Sequence, residues 1–203
     1  MEINTNIHKV DMKKLNSYIR IFDDVLPEKT LNIFDKIVKN HFKYQKALIV
    51  KNNQGDQEIN NSIRNTETKL LRTDDESLTS VHWLYVLGSF FNKHLDKYIK
   101  DFKMNDFSVT ITDMQVLKYE KGGHYKFHVD SCPTIFRTLS LIFFANEEYQ
   151  GGDLLFKTMG SEEYLKIDKK KNRLVIWPSN FMYPHCVTPV EEGIRYSVVS
   201  WAL

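Results

Sequence analysis

Tyr119 to Asp130 read Y-E-K-G-G-H-Y-K-F-H-V-D, and the last three of these residues pose the question for the whole chain. Side chains alternate faces along a strand, so residues two apart point the same way. His128 and Asp130 therefore project together, aiming one imidazole and one carboxylate at a common point. Two ligands hold a metal poorly, and H-x-D alone arises by chance in many chains. The rest of the sequence has to supply a third ligand and a use for the open positions.

Outward from this stretch the pattern is β. Candidate strands lie at 108–119, 124–130, 136–145, 153–157, 163–167, 173–178, 184–190 and 194–202, separated by Gly, Pro and acidic turns. So many short strands with no helical interval predict a sandwich, jelly roll or barrel. Upstream, residues 1–17 are polar and expected to be loose, and 18–25 reads as a strand. Pro27 opens a helix with Leu31, Phe34, Ile37 and Val38 on one face. A strand is expected at 46–51. Residues 52–69 are polar and without period, which predicts a mobile lid or a disordered loop. Ser77 or Thr79 caps a second helix over 80–100, with Val81, Leu84, Tyr85, Leu87, Phe91, Leu95 and Ile99 as its apolar stripe. The architecture is then α+β and mainly β, a helical N-terminal layer on an antiparallel core.

Composition narrows the classes. The chain has 203 residues, 42% hydrophobic and 27% charged, enough for one substantial core, so residues 1–203 are expected to form a single domain. Lys+Arg 28 against Asp+Glu 26 leaves no global field toward nucleic acid or membrane. Two cysteines make no disulfide framework. The N-terminus lacks the apolar core of a signal peptide, and the longest apolar runs fall short of the roughly 20 residues that span a bilayer. A cytoplasmic protein with reduced thiols is expected.

The third ligand is sought on another strand. His82 and His94 belong to the second helix and have no carboxylate at ligand spacing. His124 is close to His128, but Gly122-Gly123 breaks the start of its strand. His185, after Pro184, opens a strand well separated in sequence and suits a neighbouring position in a jelly roll. Two imidazoles and one carboxylate form the facial triad of non-haem Fe(II) oxygenases. Beyond His185, a turn leads into I-R-Y-S-V-V-S-W-A-L, where Arg195, Ser197, Val199 and Trp201 share one face. An arginine in an apolar strand is costly to bury without an anion, and its planar fork matches a carboxylate. Ser197 can add a hydrogen bond. A small diacid can thus chelate iron at one end and meet Arg195 at the other. Alone, Arg195 would read first as the partner of a structural Asp or Glu; beside the triad that becomes the lesser reading.

In these features the sequence resembles the Fe(II)- and 2-oxoglutarate-dependent dioxygenases, in the prolyl 4-hydroxylase-like branch. The resemblance rests on Tyr119, Gly122 and Tyr125 before His128-x-Asp130, and on Arg137 before L-S-L-I-F-F-A-N. It continues through Gly151-Gly152-Asp153-Leu154 with Phe156, Trp177-Pro178 before Pro184-His185, and Gly193-x-Arg195-Tyr196-Ser197 closing on Trp201. It implies a double-stranded β-helix over residues 105–203, with 18–104 as a helical support layer and lid. His128, Asp130 and His185 would hold Fe(II), and Arg195 with Ser197 would meet the far carboxylate of 2-oxoglutarate. Tyr119, Leu154 and Val187 would line that pocket, with Trp201 close by. Some relatives carry a tyrosine hydroxyl where this chain has Phe144.

The implied reaction couples decarboxylation of 2-oxoglutarate to hydroxylation of a C–H bond, consuming O2 and releasing succinate and CO2, with ascorbate in support. No catalytic residue beyond the metal centre is required. A prolyl residue in a peptide or protein is the expected substrate, bound over the iron beneath the lid, with Arg64 and Trp201 as contacts. Two alternatives stand beside it: a 2-oxoglutarate oxygenase of a free amino acid or small metabolite, and a cupin-type metal enzyme that does not use 2-oxoglutarate. A non-catalytic peptide-binding module is the reading that an intact triad and anion anchor disfavour.

Overall fold

The structure, a computed structural model, describes residues 12–51, 56–104, 108–160 and 162–203. A 3-10 helix (Met12–Tyr18) leads into β1 (Arg20–Phe22) and helix α1 (Glu28–Asn40). Five short strands follow: β2 (Gln45–Lys46), β3 (Ile49–Val50), β4 (Gln57–Glu58), β5 (Arg64–Asn65) and β6 (Glu67–Leu71). Helix α2 spans Leu78–Asp101. The remaining strands are β7 (Ile111–Tyr119), β8 (His124–His128), β9 (Leu139–Phe144), β10 (Tyr149–Gly151) and β11 (Leu154–Lys157). They continue as β12 (Tyr164–Ile167), β13 (Arg173–Pro178), β14 (His185–Val187), β15 (Val190–Gly193) and β16 (Arg195–Ala202).

The fold is mainly β with two α-helices. A larger sheet runs β1-β13-β9-β16-β7-β6-β2 and a smaller one β12-β11-β14-β8-β5, with β10-β15 and β3-β4 as separate pairs. The pairings are antiparallel. Strand alternation on β9 explains how the layers stack. Leu141 and Phe143 pack with Leu31 and Phe34 of α1 and Leu87 and Phe91 of α2. Ile142 and Phe144 point the other way, onto Leu154 and Phe156 of the smaller sheet. Covered on both faces, β9 reads as an almost unbroken apolar run, L-S-L-I-F-F. The one polar residue in it is Ser140.

Both helices form where their periodicity predicts. Pro27 sits at the start of α1, where its missing N–H costs nothing, and Leu31, Phe34 and Val38 are buried. Ser77 caps α2, its Oγ accepting from Ser80 N at 3.4 Å. The buried stripe of α2 is Ser80, Trp83, Leu87, Phe91, Leu95 and Tyr98. Tyr85, expected inside, is 64% exposed. The stripe is rotated by about one position because Trp83 and Tyr98 carry more apolar surface to the sheet than Tyr85 would.

Three expectations upstream are corrected. Residues 12–18 are not loose: Tyr98 and Tyr183 donate their hydroxyls to Tyr18 O and Leu15 O, while residues 1–11 lie outside the described residues. The strand expected at 46–51 is two two-residue strands in different sheets, broken at buried Ala47. The lid expected at 52–69 is in part strand, at 57–58, 64–65 and 67–69. β6 pairs along β7 inside the larger sheet, and β5 extends the smaller sheet beside β8. Backbone pairing with those neighbours builds structure that the polar side chains do not signal; residues 52–55 lie outside the described residues.

Edge strand β1 is fastened by charge. Arg173 donates to Asp23 Oδ1 at 2.7 Å and Oδ2 at 3.1 Å, and Lys170 donates to Asp23 at 3.1 Å. The Arg173 hydrogen bond, offset in part by burial and aided by Lys170, holds the Asp23 carboxyl down from 3.8 to about 2. A depressed carboxyl contributes stability above its unfolded pKa and loses it on acidification, here between pH 3.8 and about 2. Asp23→Asn is expected to cost about 1 kcal/mol or less at pH 7, since the pair is partly solvated. Chemical unfolding at pH 7 and at pH 2 checks this: the difference from wild type should shrink at the lower pH.

Candidate metal centre

Register on the smaller sheet brings the two histidines together. His185 of β14 lies directly opposite His128 of β8. Two residues on, the register slips, with Val187 opposite Tyr125, so Lys126 and Phe127 stand against Cys186 alone. This is a β-bulge, a device that re-aims side chains beside functional sites. It lets Tyr125 and His128 face the same side, their rings stacked with centroids 3.6 Å apart. Asp130 is not strand-borne as expected. It sits in a bend two residues past the end of β8, and still points back to His128.

The three side chains converge. Asp130 Oδ1 is 3.6 Å from His128 Nε2, and Oδ2 is 3.5 Å from His185 Nε2. One ligand atom from each residue lies within 4.8 Å of the others. His128 Nδ1 is 2.8 Å from Lys126 O and His185 Nδ1 is 3.1 Å from Tyr183 O. A carbonyl only accepts, so each Nδ1 carries a proton and Nε2 is left as the ring nitrogen that faces inward. The His185 ring is held edge-on by Trp177, at 5.0 Å between centroids, and lies beside Phe156. Burial, with His128 acting the same way, pushes the His185 imidazole down to about 4, so it is neutral at pH 7 and ready to ligate.

Asp130 is oriented from behind. Ser140 donates to Asp130 Oδ2 at 2.6 Å, and Ser179 stands 2.7 Å behind Ser140. Burial works to raise the Asp130 carboxyl, but His185, His128 and the Ser140 hydroxyl outweigh it and hold the group below the usual carboxylate range. Neither serine was singled out from sequence. The signal was there for Ser140, a lone polar residue on the inward face of an apolar strand.

The triad opens on a cavity of about 710 Å³. Tyr119, Leu154, Val187, Arg64 and Trp201, each expected near the site, line it. Leu48, Val50, Gln57 and Ile59, from the paired strands β3 and β4 and their flanks, also line it and are themselves exposed. Arg64 lies over the Tyr125 ring at 4.9 Å and donates to Leu48 O. Across the cavity Arg137 lies over Trp201 at 3.5 Å and donates to Asp130 O at 3.3 Å. His124, set aside from the sequence, is remote from the metal position and bonds to Gly122 O.

Arg195 and Ser197 sit behind the cavity wall, both fully buried. Arg195 Nη1 donates to Ser197 Oγ at 2.8 Å, and the guanidinium lies 5.0 Å from the Tyr119 ring and 5.3 Å from Phe144. Its Nε and Nη2 have no hydrogen-bond partner among the described residues, and no carboxylate pairs with it there. The structural ion pair that sequence left open is therefore not made. A buried charge with unspent donors is destabilising by several kcal/mol unless an anion meets it. The donor set, two imidazoles and one carboxylate with an orphaned guanidinium behind, fits a metal that is chelated by a dicarboxylate.

Residues 114–203 match the model of the 2OG-Fe(II) oxygenase superfamily. A PKHD-type hydroxylase of Synechococcus sp. (strain CC9605) is 34% identical over 95 residues, covering 45% of this chain and 41% of that protein. One from Aliarcobacter butzleri is 35% identical over 95 residues, covering 41% and 40%. The chain thus spans about two fifths of the length of these curated relatives. Among solved structures, a Pseudomonas putida prolyl-4-hydroxylase superposes with TM-score 0.67 at 16% identity, over 94% of this chain and 97% of that one. A Trichoplax adhaerens prolyl hydroxylase, solved with a hypoxia inducible factor peptide fragment, gives TM-score 0.69 at 18% identity, over 95% and 86%. Residues 114–203 carry the sequence signature of the 2OG-Fe(II) oxygenases, and the whole chain shares the fold of prolyl 4-hydroxylase-like members. Among the described residues no helix is long and apolar enough to cross a membrane.

Proposed function

We propose that this chain is an Fe(II)- and 2-oxoglutarate-dependent dioxygenase that hydroxylates a C–H bond of a prolyl residue in a peptide or protein. The observation that carries this is the fully buried Arg195, without a partner for Nε and Nη2 among the described residues and set behind a His-Asp-His cluster. A metal site alone suits many reactions. A metal site with a carboxylate anchor behind it suits a chelating diacid.

On this reading the two facing sheets form a double-stranded β-helix within one domain, residues 105–203 carrying the chemistry and 18–104 supporting it. His128, Asp130 and His185 hold Fe(II) on one face. When bound, the metal supplies O2 activation coupled to decarboxylation of 2-oxoglutarate, with ascorbate as a supporting reductant. The chain's own residues position and exclude. Ser140 fixes the carboxylate, Lys126 O and Tyr183 O fix the imidazoles, and Arg195 with Ser197 takes the far carboxylate of 2-oxoglutarate. Tyr119, Leu154 and Val187 keep that pocket dry. At the mouth, Arg64 on Tyr125 and Arg137 on Trp201 form two walls between which a peptide can lie, with the β3–β4 pair above.

The test is turnover. Protein supplied with Fe(II), ascorbate and 2-oxoglutarate should release succinate in step with a substrate peptide gaining one oxygen atom at proline, read by mass spectrometry. Oxygen gained by a free amino acid or small metabolite, with proline peptides untouched, would reassign the substrate. Absence of 2-oxoglutarate binding would favour a cupin-type enzyme.

A further inference from the structure

Tyr149 took no part in the site as read from sequence, and it lies off the cavity wall. It is 6% exposed, and its hydroxyl has no hydrogen-bond partner among the described residues. Arg195 is the neighbouring side chain in the same condition. Two observations bring them together. β10 pairs with β15 so that Tyr149 lies opposite Gly193, two residues before Arg195. Gly152 then packs against both: a Cβ built there would meet Arg195 Cδ at 3.1 Å and Tyr149 Cε2 at 3.2 Å. The absent side chain, in a left-handed backbone at φ +61, lets the ring and the arginine stem share one corner.

The donor count favours a third party in that corner. Nε and Nη2 of Arg195 bear three N–H groups, and one phenol oxygen cannot absorb them all. Burial raises the Tyr149 pKa, while the Arg195 guanidinium acts against it through its charge and its approach to the hydroxyl; burial wins, so the hydroxyl stays protonated and can donate. On the neighbouring strand β9, the side chain beside Arg195 is Phe144, which offers a ring and no hydroxyl.

We propose that Tyr149 is a cosubstrate-binding residue, donating its hydroxyl to the far carboxylate of the dicarboxylate that Arg195 anchors, in place of a hydroxyl at Phe144. This rests on the function proposed above. The carboxylate would accept from Arg195 and from Tyr149 together, satisfying both orphaned groups at once.

The experiment uses the full chain loaded with Mn(II) and titrated calorimetrically with 2-oxoglutarate and with 2-oxopentanoate, which keeps the chelating end and lacks the far carboxylate. Tyr149→Phe should weaken 2-oxoglutarate by about tenfold to a hundredfold, the range of a hydrogen bond to a charged group, and leave 2-oxopentanoate unchanged. In turnover the KM for 2-oxoglutarate should rise while kcat at saturation stays within about twofold. The variant removes a hydroxyl that makes no hydrogen bond of good geometry among the described residues, so its melting temperature without ligand should match wild type. Equal loss for both ligands, or no loss for either, overturns the assignment of Tyr149. Failure of wild type itself to bind 2-oxoglutarate overturns the proposed function instead.

Discussion

His128→Ala and His185→Ala are each expected to lower metal affinity by more than about a hundredfold and to remove 2-oxoglutarate-dependent turnover. Loss of an outer partner of a metal ligand typically costs 10–100-fold, and these residues are the ligands of the proposed centre. The two variants should differ in stability. His185 is 5% exposed and wedged between Trp177 and Phe156, so truncation leaves a cavity. The His128 side chain is 17% exposed, and its removal should be milder. Measuring metal content and thermal unfolding on both separates a lost ligand from a lost fold. Turnover surviving in either would mean that the cluster is not the reaction centre.

Arg195→Met is expected to produce opposite effects on binding and stability. Removing one partner of a buried charged contact typically costs 2–5 kcal/mol, so 2-oxoglutarate affinity should fall by about 30-fold to more than 1,000-fold with metal content unchanged. The ligand-free protein should be as stable as wild type or more so, because the substitution deletes a buried charge with unspent donors and keeps most of the volume. The readout is the melting curve of Mn(II)-loaded protein with and without cosubstrate. Ligand at 100 times Kd stabilises wild type by about 2.7 kcal/mol, and the variant at the same concentration should show little of that gain. A variant that is strongly destabilised, yet still stabilised by 2-oxoglutarate, would make Arg195 a structural residue.

Much of the site could be read from residue order because its parts sit on regular strands. Arg195, Ser197, Val199 and Trp201 share a face by simple alternation, and Tyr196 and Val198 pack toward the helices as that alternation requires. The pairing of His128 with His185 needed only the expectation that distant strands become neighbours. What resisted reading came from the backbone. The bulge at Lys126 and Phe127 turns Tyr125 onto His128, and no side-chain pattern announces it. Asp130 reaches the metal position from a bend, so the alternation that first paired it with His128 was a sound guide to the wrong local structure. β5 and β6 were hidden because pairing partners, not their own polar side chains, make them strands. Tyr149 was missed for a related reason. Its strand is three residues long and gains meaning only through its pairing with β15.

On the proposed function, one dicarboxylate bridges the metal position and Arg195. The most direct measurement adds 2-oxoglutarate to the Fe(II)-loaded protein without oxygen and follows visible absorbance, since chelation of ferrous iron by a 2-oxo acid produces a charge-transfer band. Wild type should develop the band at low 2-oxoglutarate, Arg195→Met only at far higher concentration, and His185→Ala not at all. A wild-type protein that binds iron and shows no band at any 2-oxoglutarate concentration would contradict the account.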